Sequence, residues 1–272
     1  MQEKINATAA IVTTGRKISP DSVTLAQAAA TRLQIPYVER RTAGLPALKA
    51  KYGVDFVLVA KQGLLTLETP GGELFFHPNM AHLRLKNLRG GDPDRMVDAM
   101  RLAPGMSVLD CTLGFGADAI VASYAVGPEG QVTGIESQPL IEAVVGHGLA
   151  YFTGDSPYIL EPMRRIRTLC EDALHYLQQQ ADDSIDVIYF DPMFRHPFMD
   201  STSLDPLRTV ADKRALTAET VAEACRVARC RVVMKESRRS EEFSRLGFQI
   251  AEGGRYSNVR YGVIHLQTGC GL

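Results

Sequence analysis

Residues 107–119, Ser-Val-Leu-Asp-Cys-Thr-Leu-Gly-Phe-Gly-Ala-Asp-Ala, restrict the fold more than any other stretch of the chain. The apolar pair Val108-Leu109 ends in Asp110, passes through Gly114 and Gly116, and runs into a helix-like stretch from Ala117 to Ala125. Strand, glycine turn and helix in this order form the opening unit of a nucleotide-binding α/β fold. Glycine lets the backbone come close to a ligand, and the first turn of a helix presents N–H groups that lack partners. A second strand-like run, 131–136, ends in Glu136, where a carboxylate can take both hydroxyls of a ribose. A third, 185–191, is largely apolar and ends in Asp191-Pro-Met-Phe194.

Around these landmarks strand and helix patterns alternate. Strands are expected near 106–111, 131–136, 165–169, 185–191, 230–235, 247–251 and 259–266, with helices near 116–126, 138–151, 171–180, 213–228 and 238–245. Such alternation implies right-handed crossovers and a parallel sheet with helices on both faces. The last two strands have no helix between them, so they must pair antiparallel. The expected fold is therefore a Rossmann-like, mostly parallel sheet with a terminal antiparallel hairpin, the arrangement of class I methyltransferases. Ahead of it, a strand at 9–13, a helix opened by Ser19-Pro20-Asp21, and strands at 55–60, 64–68 and 73–76 predict a small α/β domain. The glycine-proline stretch 87–94 sets the expected boundary, giving a small domain over 1–90 and a larger one over 91–272.

A formal charge of −1 gives no global attraction to nucleic acid, so an RNA partner must be met by local patches. No apolar run approaches the ~20 residues a membrane span requires, and the first residues carry no secretory pattern. The five cysteines include no C-x-x-C pair, and the six histidines show no ligand spacing. Neither a disulfide framework nor a metal site is expected, and a cytoplasmic location follows. Cys111, beside the glycine turn, reads as a small structural residue.

The glycine turn alone also fits a dinucleotide site. Asp110 and Asp118 would repel a pyrophosphate but suit a zwitterionic ligand bearing a sulfonium, which favours S-adenosylmethionine over a nicotinamide cofactor. Glu171 and Asp172 follow the third strand, where they either accept from an adenine amino group or open a helix. At the Asp191 turn, the carboxylate and the carbonyl of Pro192 can hold the two N–H bonds of an exocyclic amine, and Phe194 can stack on its base. An ordinary strand-end turn is the competing reading. Among basic residues, Arg84, Lys86 and Arg89 are the best candidates to grip RNA phosphates, and Arg195 and His196 follow the Asp191 turn. Lys235 reads as a solvated strand-end residue. Competing functions are methylation of another amine in RNA or protein, a nicotinamide-dependent oxidoreductase, and a ribosome-associated binding protein without turnover.

The segments 108–119, 188–194 and 231–235 resemble the bacterial small-subunit ribosomal RNA guanine-N2 methyltransferase family. Ala81-His-Leu-Arg-Leu-Lys86 with Gly90-Gly91 is similar to that family's basic, glycine-rich segment, although Leu83 and Leu85 stand where the family often has basic residues. The resemblance spans about residues 75–240. It implies S-adenosylmethionine as cofactor, ribosomal RNA or the small ribosomal subunit as partner, and methylation of a guanine N2. It also implies that Ala117, Asp118, Glu136, Glu171, Asp172 and Asp191 contact the cofactor or line its site.

Overall fold

The computed structural model describes residues 10–192, 205–252 and 258–266. The chain divides into two compact units, Met1–His77 with Gln138–Thr153 and His196–Asp212, and Pro78–Ser137 with Gly154–Arg195 and Lys213–Leu272.

The first unit holds strands β1 (Ala10–Thr14), β2 (Phe56–Lys61), β3 (Leu64–Thr69) and β4 (Gly72–Phe75), paired in that order, with helices α1 (Pro20–Leu33) and α2 (Leu45–Tyr52). β1 and β2 are parallel, and the rest is an antiparallel meander. Ser19 caps α1 through a reciprocal bond with Ser22, with Pro20 at the first helical position, as the sequence suggested. Helix α2 was not expected. Its apolar positions form no buried stripe, and Leu48 is its one buried residue. A later helix, α6 (Pro139–Tyr151), packs on β3. Its Gly148 is required there, because any Cβ would collide with the Phe76 ring. Glu142 of α6, almost fully buried, pairs with Arg32 of α1 at 2.7 Å. The short helix α9 (Asp205–Arg208) lies against β4.

The second unit opens with α3 (Asn79–Arg89) and α4 (Arg95–Met100). Asp94 caps α4 by accepting from Met96 N at 3.0 Å and Val97 N at 3.2 Å. The repeating part follows as β5 (Ser107–Asp110), α5 (Ala117–Val126), β6 (Gln131–Glu136), α7 (Pro157–Arg165), β7 (Ile166–Cys170), α8 (Ala173–Gln178), β8 (Ile185–Phe190), α10 (Ala218–Val227), β9 (Ala228–Ser237), α11 (Glu242–Arg245), β10 (Gln249–Glu252) and β11 (Val259–His265). The sheet order is β10-β11-β9-β8-β5-β6-β7. β7, β6, β5, β8 and β9 run parallel, and β11 is antiparallel to both of its neighbours. The fold is that of a class I methyltransferase. The antiparallel pair is present as expected, with its last strand inserted between β9 and β10.

Leu109, Ile135, Ile188, Phe190, Val232 and Met234, each at most 1% exposed, form the core beneath the sheet's parallel strands. Full burial of such side chains contributes roughly 1.5–3 kcal/mol each. These strands are hydrophobic because helices cover both faces. Their carboxyl ends all open on one edge, where the loop after β5 is fixed by Cys111 N donating to Tyr189 O and Leu113 N to Ile135 O, both at 2.9 Å. Cys111, Cys170 and Cys225 carry free thiols.

Candidate active site

The turn between β5 and α5 bends as the glycine spacing requires. Gly114 has φ +49° and Gly116 φ +76°, backbone angles at which a Cβ is strained. Gly116 caps α5, whose first residues are Ala117 and Asp118. Gly114 N donates to Glu136 Oε2 at 3.3 Å, so the end of β6 is tied to the turn. Glu136 is only 8% exposed. Its backbone carbonyl also accepts from Glu171 N at 3.1 Å, which brings the ends of β6 and β7 together. Glu171 in turn accepts from Asp172 N at 3.0 Å and pairs with His175 at 3.1 Å. Asp172 caps α8 and pairs with Arg214 at 2.7 Å, and these bonds hold its carboxyl below the usual range despite partial burial.

Asp110 is buried at the end of β5. Its Oδ1 accepts from Thr112 N at 3.0 Å and the Thr112 hydroxyl at 3.4 Å. Its Oδ2 is buried with no hydrogen-bond partner among the described residues. Burial, reinforced by the charges of Asp118 and Asp191, pushes its carboxyl up to about 8. Thr112 Oγ1 also accepts from Asp191 N at 2.6 Å, so one hydroxyl joins the β5 and β8 turns.

Asp191 and Pro192 directly follow β8. Asp191 Oδ2 accepts from Lys235 Nζ at 2.7 Å, and Lys235 also donates to Asp118 Oδ2 at 3.1 Å. Asp118 further accepts from the Tyr189 hydroxyl at 2.8 Å and pairs with Arg84. Arg84 closes the chain on Asp94 at 2.7 and 2.8 Å. An alternating series, Asp94–Arg84–Asp118–Lys235–Asp191, thus crosses from α3 to the end of β8. Burial alone would raise both aspartates. For Asp118 the two cations overcome it and hold the carboxyl well below the usual range. For Asp191 burial outweighs Lys235, and its carboxyl stays above the usual value. Lys235 is strongly stabilised as a cation by the two carboxylates.

The expected site residues therefore gather in two connected groups. Asp110, Asp118 and Asp191 surround Thr112 and Lys235, while Gly114, Glu136 and Glu171 line the neighbouring strand ends. Phe194, Arg195 and His196 lie outside the described residues. Sequence reasoning missed Thr112, Tyr189 and Lys235. Lys235 is no solvated strand-end residue: two carboxylates hold it. A signal existed, since β8 and β9 are parallel neighbours and Lys235 ends its apolar run at the same edge as Asp191. Arg84 also departs from expectation, its guanidinium being committed to internal ion pairs rather than open to phosphates. Lys86 and Arg89 of the same helix are exposed, and Arg89 lies over the Tyr158 ring, 4.1 Å from its centroid.

The residues fit S-adenosylmethionine. A buried carboxyl oxygen on Asp110 and a buried acid at the end of β6 offer acceptors to a cationic, ribose-bearing ligand, and the glycine turn at the N-terminus of α5 offers N–H donors to its carboxylate. Among the described residues no group of three metal-ligating side chains forms, and no helix is long and apolar enough to cross a membrane.

The chain is 35% identical over 254 residues to the uncharacterized protein YpiP of Bacillus subtilis, covering 93% of this chain and 98% of that one. It is 34% identical over 162 residues to ribosomal RNA small subunit methyltransferase J of Pseudomonas syringae pv. tomato, covering 56% of this chain and 57% of the relative. With the methyltransferase J of Hydrogenovibrio crunogenus the identity is 31% over 194 residues, 66% of this chain and 64% of the relative. The chain thus spans less than two thirds of the length of these two J relatives. The fold matches the crystal structure of a SAM-dependent methyltransferase from Neisseria gonorrhoeae with a TM-score of 0.62 at 18% identity, over 94% of this chain and 95% of that one. The sequence pattern of the SAM_MT family matches residues 48–262. The chain belongs to this family of SAM-dependent methyltransferases, and S-adenosylmethionine is its cofactor.

Proposed function

We propose that the protein methylates the exocyclic N2 amine of a guanine in small-subunit ribosomal RNA, working in the cytoplasm. The observation that carries this reading is Asp191. Its carboxylate stands at the end of β8, held through Oδ2 by Lys235 and through its backbone by Thr112, one turn from the buried acceptor of Asp110. The likeness to relatives named ribosomal RNA small subunit methyltransferase J supports the choice of RNA.

When bound, the cofactor would supply a methyl group on a positively charged sulfur, the broken C–S pair staying on sulfur as a neutral thioether. Asp110, Gly114, Gly116, Ala117 and Asp118 would hold its amino-acid and sulfonium end, Glu136 would take the ribose hydroxyls, and Glu171 and Asp172 would accept from the adenine. An exocyclic amine is a poor nucleophile because its lone pair is conjugated into the ring. Asp191 Oδ1 takes no hydrogen bond among the described residues, so it is placed to accept one N–H, with the Pro192 carbonyl accepting the other. Held this way, the lone pair turns toward the methyl carbon, and orientation supplies most of the rate. When the new bond has formed the amine must lose a proton. Lys235, firmly cationic, cannot take it, and the Asp191 carboxylate can. Phe194 is proposed to stack on the base.

The test is methyl transfer from labelled S-adenosylmethionine to small-subunit RNA and to assembled subunits, followed by mass spectrometry of the nucleosides. N2-methylguanosine should appear in the reaction and vanish from the RNA of a strain lacking the gene. Label in protein, or in another nucleoside, overturns the proposed target.

A further inference from the structure

The first unit has its own carboxyl edge, and charge has accumulated there without a counterpart. Val12 N donates to Pro36 O and Val38 N to Val12 O, each at 2.8 Å, so the segment 36–38 runs parallel to β1 on the side away from β2. The chain leaves β1 through α1 to this segment, then passes through α2 to β2 on the other flank. Strand order therefore reverses about β1. In open α/β sheets the crevice beyond the carboxyl ends at such a reversal is where ligands bind.

At this edge the loop after β1 reads Gly15-Arg16-Lys17, and the loop after 36–38 reads Glu39-Arg40-Arg41. Arg40 is only 7% exposed. Its guanidinium donates to Thr14 O at 3.3 Å and Ala43 O at 3.1 Å, against the last residue of β1, and pairs with no carboxylate among the described residues. Burial and the charge of Arg16 both push its pKa down. Arg16 and Lys17 are exposed. Thr14 is 1% exposed, and its hydroxyl has no hydrogen-bond partner among the described residues. Nearby carboxylates do not cancel this charge: Glu39 pairs with Arg41 at 3.3 Å, Glu73 with Lys61, and Asp21 sits in the first turn of α1. Gly15 keeps the loop tight on β2, its N–H donating to Ala60 O at 2.9 Å, where a Cβ would meet Lys61 Cβ at 2.9 Å.

We propose that Thr14, Arg16, Lys17 and Arg40 form a phosphate-binding site, which takes a backbone phosphate of the RNA. A buried cation without a counter-ion is costly by itself and is relieved by an anion. Arg40 presents planar donors, the exposed pair adds charge, and the Thr14 hydroxyl supplies a further donor. The phosphate chemistry stands on these residues alone, and the RNA source rests on the proposed substrate.

The experiment uses the full chain. Backbone amide NMR follows a titration with inorganic phosphate. Fluorescence anisotropy measures binding of a single-stranded fragment of small-subunit RNA across salt, in the wild type, in an Arg16→Glu, Lys17→Glu double variant, and in Arg40→Lys. Positions 16 and 17 are exposed, so the double variant should fold. Phosphate should shift amides within 14–17 and 40–43. The double variant should bind RNA about tenfold or more weakly, with a salt slope reduced by roughly 0.7 for each lost contact, and keep its S-adenosylmethionine affinity. Arg40→Lys, which keeps the charge but loses the fork, should fall between. Unshifted amides with an unchanged salt slope overturn the site. Shifted amides with unchanged RNA binding overturn the RNA source and leave a small phosphate as the ligand. Weakened RNA binding without methyl transfer to that RNA supports the site while rejecting the proposed reaction.

Discussion

Lys235 Nζ lies 2.7 Å from Asp191 Oδ2, across the gap between the ends of two parallel strands. The contact decides which protonation state the aspartate keeps, because burial and the charges of Asp118 and Glu236 all favour the neutral acid. A protonated Asp191 would offer one acceptor fewer to the target amine. Methyl transfer should therefore fall as pH drops through the raised Asp191 value. Replacing Lys235 by Met should move that acid limb to higher pH and slow single-turnover transfer by about 10²-fold, the usual cost of misplacing a reacting group. Lys235→Arg should restore much of both. A pH–rate profile of Lys235→Met that overlays the wild type would remove the lysine from this role.

Asp110 gives a stability prediction with a definite sign. Its folded carboxyl is raised to about 8, so the folded state holds a proton that the unfolded chain releases near pH 4. The folded state is thus favoured most below that lower value and loses stability as pH rises toward 8. Asp110→Asn keeps an acceptor for Thr112 and removes the titration. Its melting temperature should gain on the wild type between pH 5 and 8, by roughly 2–4 °C for each kcal/mol recovered. Cofactor affinity should fall. Parallel melting curves for the two proteins across that range would contradict the assignment.

The large sheet was legible because its strands are short apolar runs ended by acids and glycines, a pattern that local chemistry dictates. Helices α3 and α7 were not legible for a related reason. The α3 sequence is punctuated by Pro78 and Gly90-Gly91, and α7 carries Pro162 inside it, so local signals pointed to turns while packing on α5 holds both as helices. The same limit applied to the site. Spacing along a strand could locate Asp110, Glu136 and Asp191, since each ends its own run. It could not pair Lys235 with Asp118, residues 117 positions apart, because that contact depends on the strand order.

Arg84 separates structural from RNA-binding charge on one helix. It is held between Asp94 and Asp118 with its side chain 21% exposed, whereas Lys86 and Arg89 face solvent. Arg84→Ala leaves two buried carboxylates short of a partner, and breaking such pairs costs about 3–5 kcal/mol. Thermal unfolding should register that loss. By contrast, Lys86→Ala with Arg89→Ala should leave stability nearly unchanged and lower the salt slope of RNA binding by roughly 0.7 per contact. A stable Arg84→Ala with a reduced salt slope would reverse the two assignments.

Glu136 and Asp191 should fail in different ways, and the contrast tests the division of labour at the strand ends. Glu136 is tied to Gly114 on the cofactor side, so Glu136→Ala should weaken S-adenosylmethionine binding. Hydrogen bonds to a charged group contribute ~1.5–3 kcal/mol each, so the loss should reach tenfold or more in Kd by calorimetry. Saturating cofactor should then recover much of the rate. Asp191→Ala removes the proposed amine acceptor and frees Lys235, whose remaining partner is Asp118. Cofactor affinity should change little, while single-turnover transfer should be nearly abolished at any cofactor concentration. Equal loss of binding in both variants, with equal rescue by cofactor, would place Asp191 in the cofactor site and leave the amine to be held by other groups.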